Sequence, residues 1–394
     1  MRIALVGTRG VPAHYGGFET CVEEVGQRLV ERGHSVTVYC RSSAEDEPRL
    51  DSYLGMDLVH LPALRRRSLE TLSRTGLAVG HMLAHKPDVA IVFNAANAPW
   101  LPFIRAARIP VATHVDGLEW QRAKWGKIGK KYYRLAERFA VMASNALIAD
   151  AQGISDYYHE SLNAQTQLIS YGAPLLPKLR PEYLDGLGLK PRSFHLVVAR
   201  LEPENHVHVI VDGFVRSAAK LPLVVVGSAV YQKEYTQSIH DRADNRVKFL
   251  GGVWDQKLLD ELYANALVYW HGHSVGGTNP SLLRAVGAGT PTNAYDVNFN
   301  TGVLGSTGRY FRSAEDVARL AEEAESTTEM LVARGNETQA VAARYNWKDV
   351  TDGYERLARS LSIGTLSSPR RAPLEPSAAE TASNRGILKS RVNP

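Results

Sequence analysis

Short apolar runs alternate with stretches of helical pattern along the first half of the chain. Residues 3–7 predict a strand, residues 17–32 predict a helix that Gly33 stops, and residues 35–40 predict the next strand. Further short buried strands are predicted at residues 88–93, Val111–His114 and Ala146–Ala149. Strands that alternate with helices are typical of a parallel sheet. Residues 1–178 are therefore predicted to form one doubly wound α/β domain.

The same alternation restarts near residue 195. Strands are predicted at His195–Val198 and at residues 223–227, 247–250 and 266–270. Asn279 is a suitable N-cap, and Pro280 suits the first turn of the helix that follows. Residues 190–345 are therefore predicted to form a second doubly wound domain, which a linker rich in Pro, Gly and Leu joins to the first.

The end of the chain predicts one more helix and a tail. Residues 346–362 predict a helix with Tyr354, Leu357 and Leu361 on one face, and we expect this helix to pack back across the domains. In residues 363–394, Pro, Ser, Ala and Arg dominate and large apolar residues are few. Such a composition predicts a disordered tail.

The composition is that of a soluble globular protein. Of 394 residues, 44% are hydrophobic and 22% are charged, and the net charge is +5. This mild excess suits a basic cleft for an anionic ligand. The two cysteines, Cys21 and Cys40, form no CxxC pair, so neither a redox motif nor a cysteine zinc site is supported. Without a run of about 18 apolar residues or a signal peptide, the protein is expected to be cytoplasmic.

A glycine-rich loop follows the first predicted strand. Glycines at positions 7, 10, 16 and 17 do not fit the GxGxxG spacing, so a hydride-transfer enzyme is not favoured. Gly16 and Gly17 instead offer bare backbone at the carboxyl end of a strand, where ligands bind in open α/β sheets. The alternative is a tight strand-to-helix turn, but the loop is long and polar for a turn alone.

A second glycine loop, comprising Gly276, Gly277, Thr278 and Asn279, leads into a predicted helix N-terminus. Free N–H groups and the helix dipole favour a phosphate there. Arg200 closes a predicted strand in the same domain and could hold the same diphosphate through two hydrogen bonds. The alternative for Arg200 is a surface salt bridge.

A cluster of ionisable residues follows the strand Val111–His114. His114, Asp116 and Glu119 lie within six residues at a strand end and are candidate catalytic groups. The alternative is a structural histidine with a capping aspartate. The sequence contains no DxD or HExxH motif, and the close pair His206 and His208 has a spacing unsuited to one helix face, so we expect no metal and no cofactor.

The segment from Arg122 to Arg138 is strongly basic. It carries seven Lys or Arg residues against the single acid Glu137, with aromatic residues between them. This pattern predicts a peripheral contact with an anionic membrane, with the inner face of the plasma membrane as the expected location. A solvated helix face is the alternative. Nucleic acid is disfavoured because no RNP or zinc-finger pattern accompanies the basic residues.

Five motifs in order resemble the rhamnosyltransferase-like branch of the GT-B, family 4 glycosyltransferases. They are GTRGVPAHYGGFET at 7–20, HVDGLEW at 114–120, ARLEPEN at 199–205, HGHSVGGTNPSLL at 271–283 and DVNFN at 296–300. The resemblance covers residues 1–360 and implies a retaining hexosyltransferase with two Rossmann-like domains facing across a cleft. It implies a nucleoside-diphosphate sugar donor, by analogy dTDP-L-rhamnose. The implied acceptor is a lipid-linked sugar or a growing cell-surface polysaccharide.

The resemblance also assigns roles by position. It implies that Gly16 and Gly17 approach the donor phosphates, that His114 or Asp116 lies by the reacting sugar, and that Arg200 and the 276–280 loop hold the diphosphate. Asn205 stands where many members have Lys. Gly276 stands at the first acid of the family's E-x7-E pair, as is usual in this branch.

Arg284 departs more seriously, because it stands at the second acid of that pair, which accepts hydrogen bonds from the nucleotide ribose. Arg cannot accept hydrogen bonds. Either Arg284 turns to the diphosphate or the nucleotide site is weakened. The alternatives to this transferase are a UDP- or GDP-sugar transferase, a non-catalytic sugar-nucleotide or glycan-binding protein, and a sugar-nucleotide epimerase on the same fold.

Overall fold

Two sheets of mainly parallel strands organise the chain, in a computed structural model that describes residues 1–13, 16–41, 49–62, 70–115, 117–176, 182–228 and 233–369. The strands of the first sheet are β1 (Arg2–Val6), β2 (Ser35–Arg41), β3 (Ser52–Tyr53), β4 (Met56–Leu61), β5 (Val89–Phe93), β6 (Val111–His114), β7 (Ala146–Ala149) and β8 (Gln167–Leu168). Those of the second sheet are β9 (His195–Val198), β10 (Leu223–Val226), β11 (Val247–Gly251), β12 (Val268–His271), β13 (Thr292–Tyr295) and β14 (Arg309–Phe311).

Both sheets are doubly wound, as the sequence predicts. The first has the order β3-β4-β2-β1-β5-β6-β7-β8 and the second the order β11-β10-β9-β12-β13-β14. Only β3 pairs antiparallel to its neighbour within the described sheets. The strand order reverses between β1 and β5 in one sheet and between β9 and β12 in the other. These switch points are where ligands bind in such folds.

The helices cover both faces of the sheets. They are α1 (Gly17–Glu31), α2 (Glu70–His85), α3 (Leu101–Ala106), α4 (Lys127–Ala143), α5 (Gln152–Leu162), α6 (Glu182–Asp185), α7 (Val207–Arg216), α8 (Lys233–His240), α9 (Gln256–Asn265), α10 (Pro280–Gly287), α11 (Asn298–Leu304), α12 (Ala314–Ser326), α13 (Thr328–Val341) and α14 (Trp347–Ser362). The central strands β5, β6 and β7 are buried throughout, which explains why they read as continuous apolar runs. Among the described helices, none has the length and apolar character needed to cross a bilayer.

The chain passes between the domains twice, and the two passages lie side by side. The Ala173 N–H donates to the Tyr345 carbonyl over 2.5 Å, and Gly172 packs directly on Trp347. Helix α14 then lies on α1 of the first domain, where Tyr354 OH is 3.4 Å from Cys21 Sγ.

Part of the predicted tail has a described structure. Residues 363–369 follow α14, and the Gln165 N–H donates to the Pro369 carbonyl over 2.8 Å. Residues 370–394 lie outside the described part of the chain.

Candidate functional site

A cleft of about 550 Å³ lies between the domains, at the carboxyl ends of the strands on both sides. Arg9 from the loop after β1 and Asn94 after β5 line it on one side, and Arg200 after β9 and His273 after β12 line it on the other. The cleft therefore lies at the switch points of both sheets. This position follows from the fold, because each switch point leaves a crevice between neighbouring loops.

The two glycine loops come together across the cleft. A Cβ placed on Gly17 would lie 3.2 Å from Pro280 Cγ, at the start of α10. Gly117 lies so close to the Gly276 backbone that a Cβ on Gly117 would be 2.3 Å from Gly276 Cα. Only glycine allows this approach, so the loops meet through bare backbone. Gly16, Gly17, Gly276 and Gly277 all line the cleft.

The N-terminus of α10 is built as the sequence predicts. The Asn279 side chain accepts hydrogen bonds from the Ser281 N–H over 2.9 Å and the Ser281 hydroxyl over 2.8 Å, so Asn279 is the N-cap. Thr278 is fixed from the other domain, since its hydroxyl donates to the Asp150 carbonyl over 2.6 Å. The N-terminus of α10 thus borders the cleft in a rigid setting, and the helix dipole at this end favours an anion.

Arg200 lines the cleft, whereas Asn205 lies behind it. Arg200 Nη2 is 3.8 Å from Glu202 Oε2, and the Arg200 side chain is 37% exposed. Asn205 is fully buried and its amide donates to the Arg200 carbonyl over 2.8 Å. Asn205 therefore shapes the loop that carries Arg200 and lies outside the cleft lining.

Glu119, predicted as a catalytic group, is occupied by charge partners. It contacts Arg122 Nε, and Lys124 Nζ lies 2.6 Å from Glu119 Oε1. Burial would raise the pKa of Glu119, but the charges of Arg122 and Lys124 together outweigh it and hold the pKa below its ordinary value. A carboxylate held ionised in this way is poorly suited to proton transfer. In the structure Glu119 holds two cations at the cleft, Arg122 and Lys124.

His114 is fully buried at the end of β6, outside the cleft lining. Its ring stacks on Phe93 and Tyr171 and meets Phe18 edge-on. Neither ring nitrogen has a hydrogen-bond partner among the described residues. Burial lowers the pKa of His114 to about 3, so the ring is neutral. Asp116, the third predicted catalytic residue, lies outside the described residues.

Arg284 has a counter-ion inside the protein. It lies on α10, lines the cleft and contacts Asp260 Oδ1 of α9 through Nη1. Gln256 Nε2 donates to the same oxygen over 2.8 Å. From the sequence, the donor diphosphate is one predicted anionic partner of Arg284. In the structure Asp260 fills that role, because α9 packs beside α10.

Several cleft residues are not predicted as site residues from the sequence. Arg122 and Lys124 belong to the basic segment that predicts a membrane contact, but both line the cleft. Trp254 lies at the rim with an indole that is 65% exposed. Glu19 also lines the cleft, accepts from the Arg9 N–H over 2.9 Å, and has a pKa raised by burial. Their place in the cleft follows from the spatial proximity of loops that are distant in sequence.

Comparison with known families identifies the enzyme class. Residues 16–172 match the glycosyl transferase 4-like domain, and residues 182–353 match the glycosyl transferases group 1 domain. The chain is a glycosyltransferase of the GT-B fold. The first matched region contains β2–β8 of the first sheet and the second contains all strands of the second sheet, so this glycosyltransferase carries its cleft between its two family domains.

Solved structures show the same GT-B fold at low sequence identity. Sucrose-phosphate synthase from Thermosynechococcus elongatus has a TM-score of 0.79 and 18% identity, covering 92% of this chain and 99% of its own. HepE of Anabaena in complex with UDP-glucose has a TM-score of 0.74 and 16% identity, covering 91% of this chain and 100% of its own. No curated protein sequence matches the glycosyltransferase.

Proposed function

We propose that the protein transfers a hexosyl group from a nucleoside-diphosphate sugar to a lipid-linked sugar or polysaccharide during cell-surface glycan synthesis. One observation carries this proposal. Two glycine loops, one from each domain, meet across a cleft at both switch points, with Gly17 against Pro280. A donor that spans both domains needs bare backbone at its phosphates and cations around them.

The cleft supplies each part of a donor site. The N-terminus of α10 and Arg200 hold the diphosphate and stabilise the charge that develops as the sugar leaves. The exposed indole of Trp254 offers a stacking surface for the nucleobase. Arg9 and Glu19 line the cleft from the first domain, and we assign them to the acceptor side. We propose that this arrangement works without a divalent ion, because protein cations and a helix N-terminus supply the positive charge.

The donor sugar is the finer part of the proposal. The motif resemblance favours dTDP-L-rhamnose, whereas HepE was solved with UDP-glucose and thus favours a UDP-sugar as the second candidate. Thermal-shift measurements against dTDP-, UDP- and GDP-sugars distinguish them. The cognate donor is expected to raise the melting temperature most.

The metal-free mechanism has its own test. The cognate donor is expected to support transfer in the presence of EDTA. Transfer that EDTA abolishes and magnesium restores would overturn the metal-free mechanism.

Arg200 provides the direct test of the site. Arg200→Ala removes a charge-assisted contact to the diphosphate, which is expected to weaken donor binding by about 1.5–3 kcal/mol while the protein stays folded. Calorimetry with the donor measures this loss. Equal affinity in the variant would refute the assignment of the diphosphate to this part of the cleft. Lys190→Ala, an exposed cation elsewhere on the same domain, is the control.

A basic face on α4 supports the further proposal that the enzyme associates with the cytoplasmic side of an anionic membrane, where a lipid-linked acceptor would reside. The exposed side of the helix carries Lys127, Lys131, Arg134 and Arg138. Ile128 on the same side is 88% exposed. Leu135 and Met142 are also exposed there, and Phe103 is exposed on the neighbouring α3. Cations interleaved with exposed apolar side chains match the interface of an anionic bilayer.

A further inference from the structure

Arg122 joins the two domains electrostatically at the cleft. Its Nε contacts Glu119 in its own domain. Its Nη1 lies 3.6 Å from Glu204 Oε1 and 4.0 Å from Glu202 Oε2 in the other domain. The Arg122 side chain is only 11% exposed, and its guanidinium therefore faces carboxylates from both sides of the cleft.

Glu204 depends on this contact. Its side chain is 4% exposed, and neither carboxylate oxygen has a hydrogen-bond partner among the described residues. Arg122 is the one cation within ion-pair distance of Glu204 in the described part of the chain. Separating the domains would take away the one cation that compensates the Glu204 carboxylate in the described structure, which is unfavourable. The pair thus favours the closed arrangement.

The same carboxylates reach the cations that line the cleft. Glu119 holds Lys124 at 2.6 Å, and Glu202 lies 3.8 Å from Arg200. Close packing of Gly117 on Gly276 occurs beside this network, in the segment between β6 and the 3-10 helix Glu119–Gln121. The contacts that close the domains therefore belong to the same network that positions Lys124 and Arg200 at the cleft.

We propose that Arg122 is a positioning residue that holds the two domains closed around the donor site through Glu204. This inference rests on the proposed function of the cleft as a donor site. Arg122 acts by fixing the 276–278 loop and Arg200 relative to the first domain. It need not take part in the chemical step itself. Because Arg122 is proposed to hold the domains closed around the donor site, its loss is expected to lower kcat more than it raises the KM for donor.

The test measures closure directly, with no ligand present. Hydrogen exchange of the amides at Gly276, Gly277 and Thr278 reports whether Gly117 covers the loop. Arg122→Gln is expected to speed this exchange at least fivefold and to lower kcat at least tenfold. Glu204→Gln, which keeps the side-chain shape, is expected to produce a smaller effect of the same sign. Arg216→Gln, which breaks the exposed Arg216–Glu315 pair inside one domain, is the matched control and is expected to change neither quantity.

The double variant Arg122→Gln/Glu204→Gln separates the cross-domain contact from the contact with Glu119. Removing both partners leaves no bare charge at Glu204, so the double variant is expected to recover at least threefold in kcat over Arg122→Gln alone. Unchanged loop exchange in Arg122→Gln, or fully additive losses in the double variant, would overturn the proposal. Failure of the proposed function is distinct, since it appears as absent donor binding in the unaltered protein while the exchange data stand.

Discussion

Arg284 shows at the scale of one residue how a change of charge is balanced within the protein. The Asp260 carboxylate neutralises it, so Arg284 can offer hydrogen bonds to a ligand without requiring an anion. Arg284→Glu would place a second carboxylate against Asp260. We expect donor affinity to fall about tenfold and the free energy of unfolding to fall by about 1–3 kcal/mol.

The companion variant tests the cause. Arg284→Glu combined with Asp260→Asn removes the repulsion and is expected to restore stability. Any change in donor affinity that remains in this double variant is then due to the loss of Arg284 from the cleft. Calorimetry and urea unfolding measure the two quantities. A tenfold gain in affinity or rate for Arg284→Glu would contradict this prediction and show that Arg284 impairs the site.

The buried histidines predict how stability depends on pH. The pKa of His114 and that of His271 are each lowered to about 3 by burial, against an ordinary value of 6.5. The unfolded chain therefore takes up protons near pH 6.5 while the folded chain does not. The stability contributed by the neutral rings is complete above pH 6.5 and is lost as the pH falls toward 3.

Each of these two rings is expected to account for about 1.4 kcal/mol of the stability lost between pH 7.5 and pH 5.5. His114→Phe keeps the stacking with Phe93 and Tyr171, so urea unfolding of this variant should show a loss smaller by that amount. His159→Phe, on the surface of α5, is the control. An equal pH dependence in His114→Phe and the unaltered protein would show that the His114 ring is protonated in the folded state.

At the scale of elements, apolar strands and capped helices are predictable from sequence, and polar strands are not. The bounds of β6, β7 and β9 agree with the prediction because each contains at least two adjacent buried apolar residues: Val-Ala in β6, all of Ala-Leu-Ile-Ala in β7, and Leu-Val in β9. β13 has the sequence Thr-Asn-Ala-Tyr and is missed. Its buried Asn293 is tolerated because Arg334 Nη2 donates to it over 3.1 Å, a contact from a helix some forty residues away.

The candidate site also contains one part that is predictable from the sequence and one part that is not. The glycine loops and Arg200 are visible in the sequence because each follows a recognisable strand. Their partners across the cleft are not, since Gly117 and Asp150 carry no local pattern that pairs them with residues 276–278. The sequence predicts one basic surface over residues 122–138, yet Arg122 and Lys124 line the cleft, whereas the exposed cations Lys127, Lys131, Arg134 and Arg138 lie on α4.

Helix α4 carries the prediction that belongs to this scale. If its exposed cations bind an anionic bilayer, Lys131→Glu with Arg138→Glu should weaken liposome binding about 30-fold or more, at about 1 kcal/mol per basic residue. Sedimentation with vesicles containing phosphatidylserine measures the binding, which should fall with added salt. Lys190→Glu with Lys248→Glu changes the net charge equally on the other domain and should have a lesser effect. Equal binding by both double variants would refute the assignment to α4.

At the scale of the whole molecule, two chain passages and one helix couple the domains. α14 leaves the second domain and binds α1 of the first, where Glu355 lies 2.7 Å from Arg32 and 3.0 Å from His34. Hydrogen bonds from Arg359, Arg32 and His34 lower the pKa of Glu355 to about 2. The domains are thus tied together at the side of the molecule away from the cleft loops, and the cleft contacts decide how they close.

Gly172 is the position where this coupling can be tested. A Cβ at Gly172 would lie 2.3 Å from Trp347 Cδ2, so Gly172→Ala forces apart the two passages between the domains. We expect a loss of about 1–3 kcal/mol in the free energy of unfolding. We also expect slower transfer, because displacing α14 changes how the sheets face each other. Gly80→Ala is the control, since it lies within α2 with open space around it and should stabilise by about 0.5–1 kcal/mol. Urea unfolding and transfer rates measure the two effects. If Gly172→Ala has the same stability and the same transfer rate as the unaltered protein, then Trp347 moves freely and the paired passages do not fix the relative orientation of the domains.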